Sequence, residues 1–235
     1  MIKSKLKKYK AKALHTVDRY VYILNPPKVE DVAHCDFNLN NIIYYKNYGS
    51  NGNWIFPDSR KSFNIPFNKK EGMIEWTFNT KSMEGISHPD YIYFFMIRDN
   101  LYPSAIENNF FLCFYNVHQR KLKVWLSVDQ EVNSVIIDTP MLCCEEQRTV
   151  RLTWNENDYF RIYFDNAKVN EVPIGTFNVQ PERVCIGENM EPTYPSRRSR
   201  FLCNELIILS KDIGNSPIPK NMLIEFSKNY SSHKI

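Results

Sequence analysis

Glycine is scarce in this chain, with 7 in 235 residues. That excludes collagen-like and glycine-rich low-complexity sequence. No apolar run approaches the roughly 20 residues that a membrane-spanning helix needs. The six cysteines (Cys35, Cys113, Cys143, Cys144, Cys185 and Cys203) contain no Cys-x-x-Cys pair, which argues against a zinc site. A glycine-rich phosphate loop is missing, so nucleotide hydrolysis has no support. The lysines at the start are not followed by an apolar stretch of signal-peptide length. Reduced thiols in a cytoplasmic protein are therefore expected.

What is abundant is aromatic: 15 Phe, 14 Tyr and 4 Trp, in a chain that is 43% hydrophobic and 24% charged. Such a composition folds into a globular body. The net charge is +4, but residues 1–19 alone hold seven Lys/Arg against one acid, Asp18. Taking that +6 from +4 leaves −2 for the rest, so no nucleic-acid partner is expected. Within the leader Ile2, Leu6, Tyr9, Ala13 and Val17 recur at helical spacing. We expect a basic amphipathic helix over residues 1–20. Residues 1–19 suit peripheral contact with an anionic membrane, at its cytoplasmic face.

After Pro26-Pro27 helical spacing gives way to short strands with turn signals. The pattern predicts strands at Phe63–Phe67, Met73–Asn79, Tyr91–Ile97, Phe110–Tyr115, Lys121–Val128, Val132–Ile137, Val150–Trp154, Phe160–Phe164, Lys168–Val172, Val184–Ile186 and Leu206–Leu209. One or two helical turns follow at Pro219–Phe226. Strands in this number with few helices imply an all-β, two-sheet antiparallel jelly-roll sandwich, one domain over residues 21–235. Alternation points Ile74, Trp76, Leu122, Val124, Leu126, Leu152, Trp154, Ile162 and Phe164 inward. It points Glu75, Tyr115, Lys121, Lys123, Trp125, Arg151, Arg161 and Tyr163 outward.

Four stretches in order resemble laminin-G-like domains. Gly72–Phe78 (GMIEWTF) resembles the strand after their first loop, and Val150–Val169 resembles their hairpin. In that hairpin Asp165-Asn166 stands where Asp-Gly is usual. Val184–Gly187 (VCIG) resembles the strand ending in Ile-Gly, and Phe201–Ser210 (FLCNELIILS) resembles the closing strand. The resemblance covers roughly residues 35–226 and implies a concanavalin A-like lectin/glucanase sandwich. That fold hosts lectins, glycosidases, lyases and adhesion modules, so it fixes no function. It also implies that calcium could bind through loop oxygens, here Asp36, Asn38, Asp99, Asn100 and Asp158, with Asp99 and Asn100 the foremost candidates. No other cofactor is expected.

Catalysis finds little support. The glucanases of the superfamily carry Glu-x-Asp-x-Glu on one strand, and the nearest match is Ser127-Val128-Asp129-Gln130-Glu131, which lacks the first carboxylate. Asp129 and Glu131 read as turn residues, and Glu145-Glu146 as another solvated turn. His34 beside Cys35, and His118 after Cys113, do not make a nucleophile pair, because adjacent strand residues face opposite ways.

The expected function is non-catalytic binding of an oligosaccharide or polysaccharide, as an accessory module in glycan assembly. A glycoside hydrolase or lyase, and a structural or protein-interaction domain, remain the alternatives. The ligand-binding candidates are Glu75, Tyr115, Trp125, Arg151, Arg161, Tyr163 and Arg198, the last from the basic loop Tyr194–Arg200. Trp125 leads them. An indole on the polar side of a strand offers a sugar a stacking surface, and guanidinium groups orient its hydroxyls or carboxylates. Arg151, Arg161 and Tyr163 are expected beside Trp125 in one groove.

Overall fold

The computed structural model describes residues 38–55, 62–64, 67–85, 90–98, 109–141, 147–178, 180–189 and 197–230. Fourteen strands, a short 3-10 turn at Leu39–Asn41 and one helix account for most of them. The strands are β1 (Ile42–Asn47), β2 (Asn53–Ile55), β3 (Ser62–Asn64), β4 (Glu71–Gly85), β5 (Tyr91–Arg98), β6 (Asn109–Asn116) and β7 (Lys121–Val128). They continue with β8 (Glu131–Met141), β9 (Gln147–Asn155), β10 (Tyr159–Phe164), β11 (Ala167–Pro173), β12 (Arg183–Ile186), β13 (Glu188–Asn189) and β14 (Arg197–Leu209). Helix α1 spans Lys220–Tyr230.

The strands form two antiparallel sheets. One has eight strands in the order β1-β14-β4-β9-β10-β11, with β2 and β13 also paired to β14. The other has six, in the order β3-β12-β5-β6-β7-β8. Between them lies one aromatic core. Trp76, Trp154, Leu122, Val124, Leu126, Leu152, Ile74 and Ile162 are fully buried in it, and Phe164 packs against it. Trp76 meets Phe95 edge-on at 4.8 Å, and Phe94 meets Phe201 edge-on at 4.9 Å. Such pairs add roughly 0.5–1.5 kcal/mol each beyond the area they bury. At Gly72 the backbone lies against the ring of Trp154, leaving no room for a Cβ.

Two hairpins turn through residues with left-handed backbone. Asp129-Gln130 (φ 54° and 67°) joins β7 to β8, and Asp165-Asn166 (φ 49° and 68°) joins β10 to β11. Asp and Asn tolerate this conformation, and the paired positive φ values fit the twist of flanking strands. The expected Asp165-Asn166 turn is thus present.

Several expectations need correction. Phe67 lies outside any strand, buried in the core, and the strand before it ends at Asn64. The stretch expected as a basic loop, Tyr194–Arg200, is strand from Arg197 onward, because β14 starts there and pairs Arg198 with Glu188. Strands β1 and β2 fall in sequence that offered no alternation. The leader at 1–20, Cys35, Asp36, Asp99, Asn100, Cys143, Cys144 and Glu145-Glu146 lie outside the described residues.

The last 20 described residues, 211–230, cross the outward face of the eight-stranded sheet. Met73, Ile207 and Leu209 project from that face, and Ile213 and Leu223 bury them together with Ile42. Ile218, Met222 and Phe226 pack around this second, smaller core.

Candidate functional site

Parity on β7 is as alternation predicts. Leu122, Val124, Leu126 and Val128 are buried, Lys121, Lys123 and Trp125 are half-buried on the other side, and Ser127, expected outward with them, is fully buried. Trp125 therefore belongs to the outward face of the six-stranded sheet. Its cross-strand partners are Leu112 on β6 and Ile136 on β8. Ile136 is 59% exposed, the highest among the exposed large hydrophobic residues described. The next row carries Phe114, Lys123 and Asp138.

Phe114 holds the indole in place, meeting Trp125 edge-on with centroids 5.1 Å apart and planes at 89°. Tyr91 and Tyr93 continue the aromatic chain through Phe114, at 5.4 Å and 5.8 Å. Beside the indole, Lys123 Nζ pairs with Asp138 Oδ1 at 3.2 Å, with Asp138 well exposed. The indole Nε1 of Trp125 is out of solvent and has no hydrogen-bond partner among the described residues. Leaving such a donor unmatched costs about 1–3 kcal/mol. The face thus joins a fixed ring, an exposed aliphatic neighbour and a charged pair that can donate and accept.

Of the residues expected beside Trp125, none is there. Tyr115 is buried in the core, on the inward side of β6. The run Phe110–Tyr115 is apolar throughout, so no polar residue marked its outward side. The β5–β6 pairing is also irregular near Tyr93 and Ile97. Phe114 takes the outward place instead. Glu75, Arg151, Arg161 and Tyr163 belong to β4, β9 and β10 of the other sheet, on the opposite side of the sandwich from Trp125. Arg198 lies on β14 of that sheet as well.

Those four point outward, as alternation required, but the C-terminal segment covers them. Arg151 is only 3% exposed. Its Nε donates to Glu75 Oε2 at 2.6 Å, and its Nη1 donates to the Gly214 and Ser216 carbonyls at 2.7 and 3.0 Å. Tyr163, at 2% exposure, lies beneath the same segment, its hydroxyl close to Gly214. Arg161 holds Glu171 at 2.7 Å, Asp212 at 3.2 Å and Asp158 at 3.5 Å. Burial pushes the Asp212 carboxyl up, against the lowering effect of the Gly214 N–H and of Arg161. These side chains fasten the C-terminal segment to the sheet, so the expected groove of Trp125, Arg151, Arg161 and Tyr163 does not form.

The catalytic candidates resolve into structural roles. Ser127 is buried, and the Asp129 carboxylate accepts from the Thr176 backbone N–H at 2.9 Å in the hairpin turn. Cys113 sits in the core with its thiol pushed well up by burial, while His118 lies in an exposed turn against Asp90 at 2.7 Å. Among the calcium candidates, Asn38 caps the 3-10 turn through Asn40 N–H, and Asp158 pairs with Arg161. Among the described residues no group of three potential metal ligands comes together.

No protein-family model matches the chain, and no curated protein matches its sequence. Solved structures do match. The fold is shared with part of a sialidase. The NanB sialidase from Streptococcus pneumoniae superposes with a TM-score of 0.53 at 12% identity, over 78% of this chain and 28% of that one. A second structure, NanB with optactamide, gives 0.54 at 13% identity, over 74% of this chain and 27% of that one. The chain spans little more than a quarter of NanB, and the likeness is one of fold.

Proposed function

We propose that this chain is a carbohydrate-binding β-sandwich of the concanavalin A-like, laminin-G-like kind, and that the outward face around Trp125 is its contact surface. The observation that carries the reading is the half-buried indole of Trp125, packed edge-on against the buried Phe114 and flanked by the exposed Ile136 and the Lys123–Asp138 pair. A sugar presents C–H faces to such a ring and hydroxyls to such a pair. The superposed sialidase gives the reading a glycan context.

The role is non-catalytic in this reading. Asp129, in the nearest match to the glucanase pattern, is engaged within the fold by the Thr176 N–H, and Glu75 is engaged by Arg151. Glycan assembly at a cytoplasmic membrane face, with residues 1–19 contacting anionic lipid, is the setting we propose for it. Asp99 and Asn100 stay proposed calcium ligands, testable by calcium titration of the melting temperature.

A printed glycan array tests the function. The natural chain should capture a subset of oligosaccharides, and Trp125→Ala should lower that capture about tenfold, or 1.4 kcal/mol, with the melting temperature nearly unchanged. Capture of nothing by the natural chain contradicts the reading.

A further inference from the structure

The eight-stranded sheet has a second outward row beyond the area that the C-terminal segment covers. Asn47 on β1, Glu205 on β14, Thr77 on β4 and Thr149 on β9 are successive cross-strand partners. Their neighbours Leu206, Trp76, Phe78 and Val150 are buried in the core, so the row itself faces out, with Asn47 exposed, Glu205 and Thr149 half-buried, and Thr77 buried beneath them at 9% exposure. With strands about 4.8 Å apart, it extends over about 14 Å.

The row is polar and connected. Tyr45, which packs beside it on β1, donates its hydroxyl to Glu205 Oε1 at 3.1 Å. Asn47 Nδ2 reaches the same oxygen at 3.5 Å and the Tyr45 hydroxyl at 3.4 Å. Thr77 and Thr149 share a hydroxyl hydrogen bond of 2.9 Å. Among the described residues no cation pairs with Glu205, and both of its hydrogen bonds end on Oε1.

We propose that the Tyr45–Asn47–Glu205–Thr77–Thr149 row is a second glycan contact, and that it takes a neutral, extended oligosaccharide. A carboxylate without a cation accepts strong hydrogen bonds from hydroxyls and repels acidic sugars. The Asn47 amide and the Thr149 hydroxyl, itself held by the buried Thr77, donate and accept, and the Tyr45 ring offers an apolar edge. Several hydroxyls in line, rather than one charged group, match a row laid across four strands. This site is independent of Trp125, which belongs to the other sheet.

The test uses one array printed with neutral and with sialylated oligosaccharides, and three chains: natural, Trp125→Ala and Glu205→Gln. Glu205→Gln keeps the shape and removes the charge. Neutral glycans should still be captured by Trp125→Ala and should lose about tenfold or more with Glu205→Gln, while both variants melt cooperatively. If Glu205→Gln alters the melting temperature, Thr149→Val substitutes for it with the same loss expected. Undiminished neutral capture by the row variant overturns the proposal, as does absence of neutral capture by Trp125→Ala. Failure of the Trp125 reading looks different: Trp125→Ala then leaves every class of capture unchanged.

Discussion

Arg151 and Trp125 share an outward parity and have opposite fates. Arg151 is buried by a segment more than 60 residues downstream that contributes two carbonyls to it. Removing its guanidinium leaves Glu75 a buried, unpaired carboxylate. Arg151→Ala should therefore cost about 3–5 kcal/mol, measured by urea unfolding, with no direct effect on glycan capture. Cys113 and Cys203 are buried free thiols, and burial pushes Cys203 up to about 12. Both should resist thiol reagents at neutral pH until the chain is unfolded, as a mass-resolved labelling time course would read. Asp212 sets a pH dependence. Its carboxyl is raised in the folded state, so its contribution to stability is full below the unfolded value of about 3.9 and is lost as the pH rises through the higher folded value. Relative to Asp212→Asn, the natural chain should gain stability as the pH falls through that window. The alternation at Arg151 was legible, but its partners were not, because they depend on a pairing set by register and on a distant segment.

At the scale of elements, legibility followed the strength of the alternating pattern. Lys121–Val128 was read correctly in its bounds and in its inward set, since polar and apolar positions trade places from Lys121 to Val124, while Ser127, read as outward, is buried. The apolar run at Phe110–Tyr115 identified a strand but not its parity, and Tyr115 was lost to the core for that reason. Strand β1 was missed because Ile42 and Tyr45 pack in one apolar cluster and Ile43 and Tyr44 in the other, so both faces of Ile42–Asn47 are apolar. With it went the Tyr45–Asn47–Glu205 cluster, which joins residues about 160 positions apart. Helix α1 came out longer than its expected one or two turns because its apolar side seats on the sheet. Leu223→Ala should cost about 2–5 kcal/mol by opening that seat, while Ile224→Ala, at 53% exposure, should stay within about 0.5 kcal/mol. Thermal melts of the two variants would separate them.

At the largest scale, the described residues form a sandwich with two differently furnished outer faces. Its core was legible because the inward sets of separate strands agree with one another, and Trp76, Val124 and Trp154 are all fully buried as expected. The distribution of the outward residues over two sheets was not legible, since strand order is non-local: β14 sits between β1 and β4. That is why a single groove was expected where the fold makes two faces. The central claim is that the Trp125 face contacts sugar, and the indole N–H signals of a nitrogen-15-labelled chain test it most directly. When an oligosaccharide captured on the array and lost by Trp125→Ala is added, the Trp125 Nε1–H signal should shift while those of Trp76 and Trp154, both fully buried, stay in place. A saturating titration that leaves the Trp125 signal unmoved while backbone signals shift elsewhere would contradict the account.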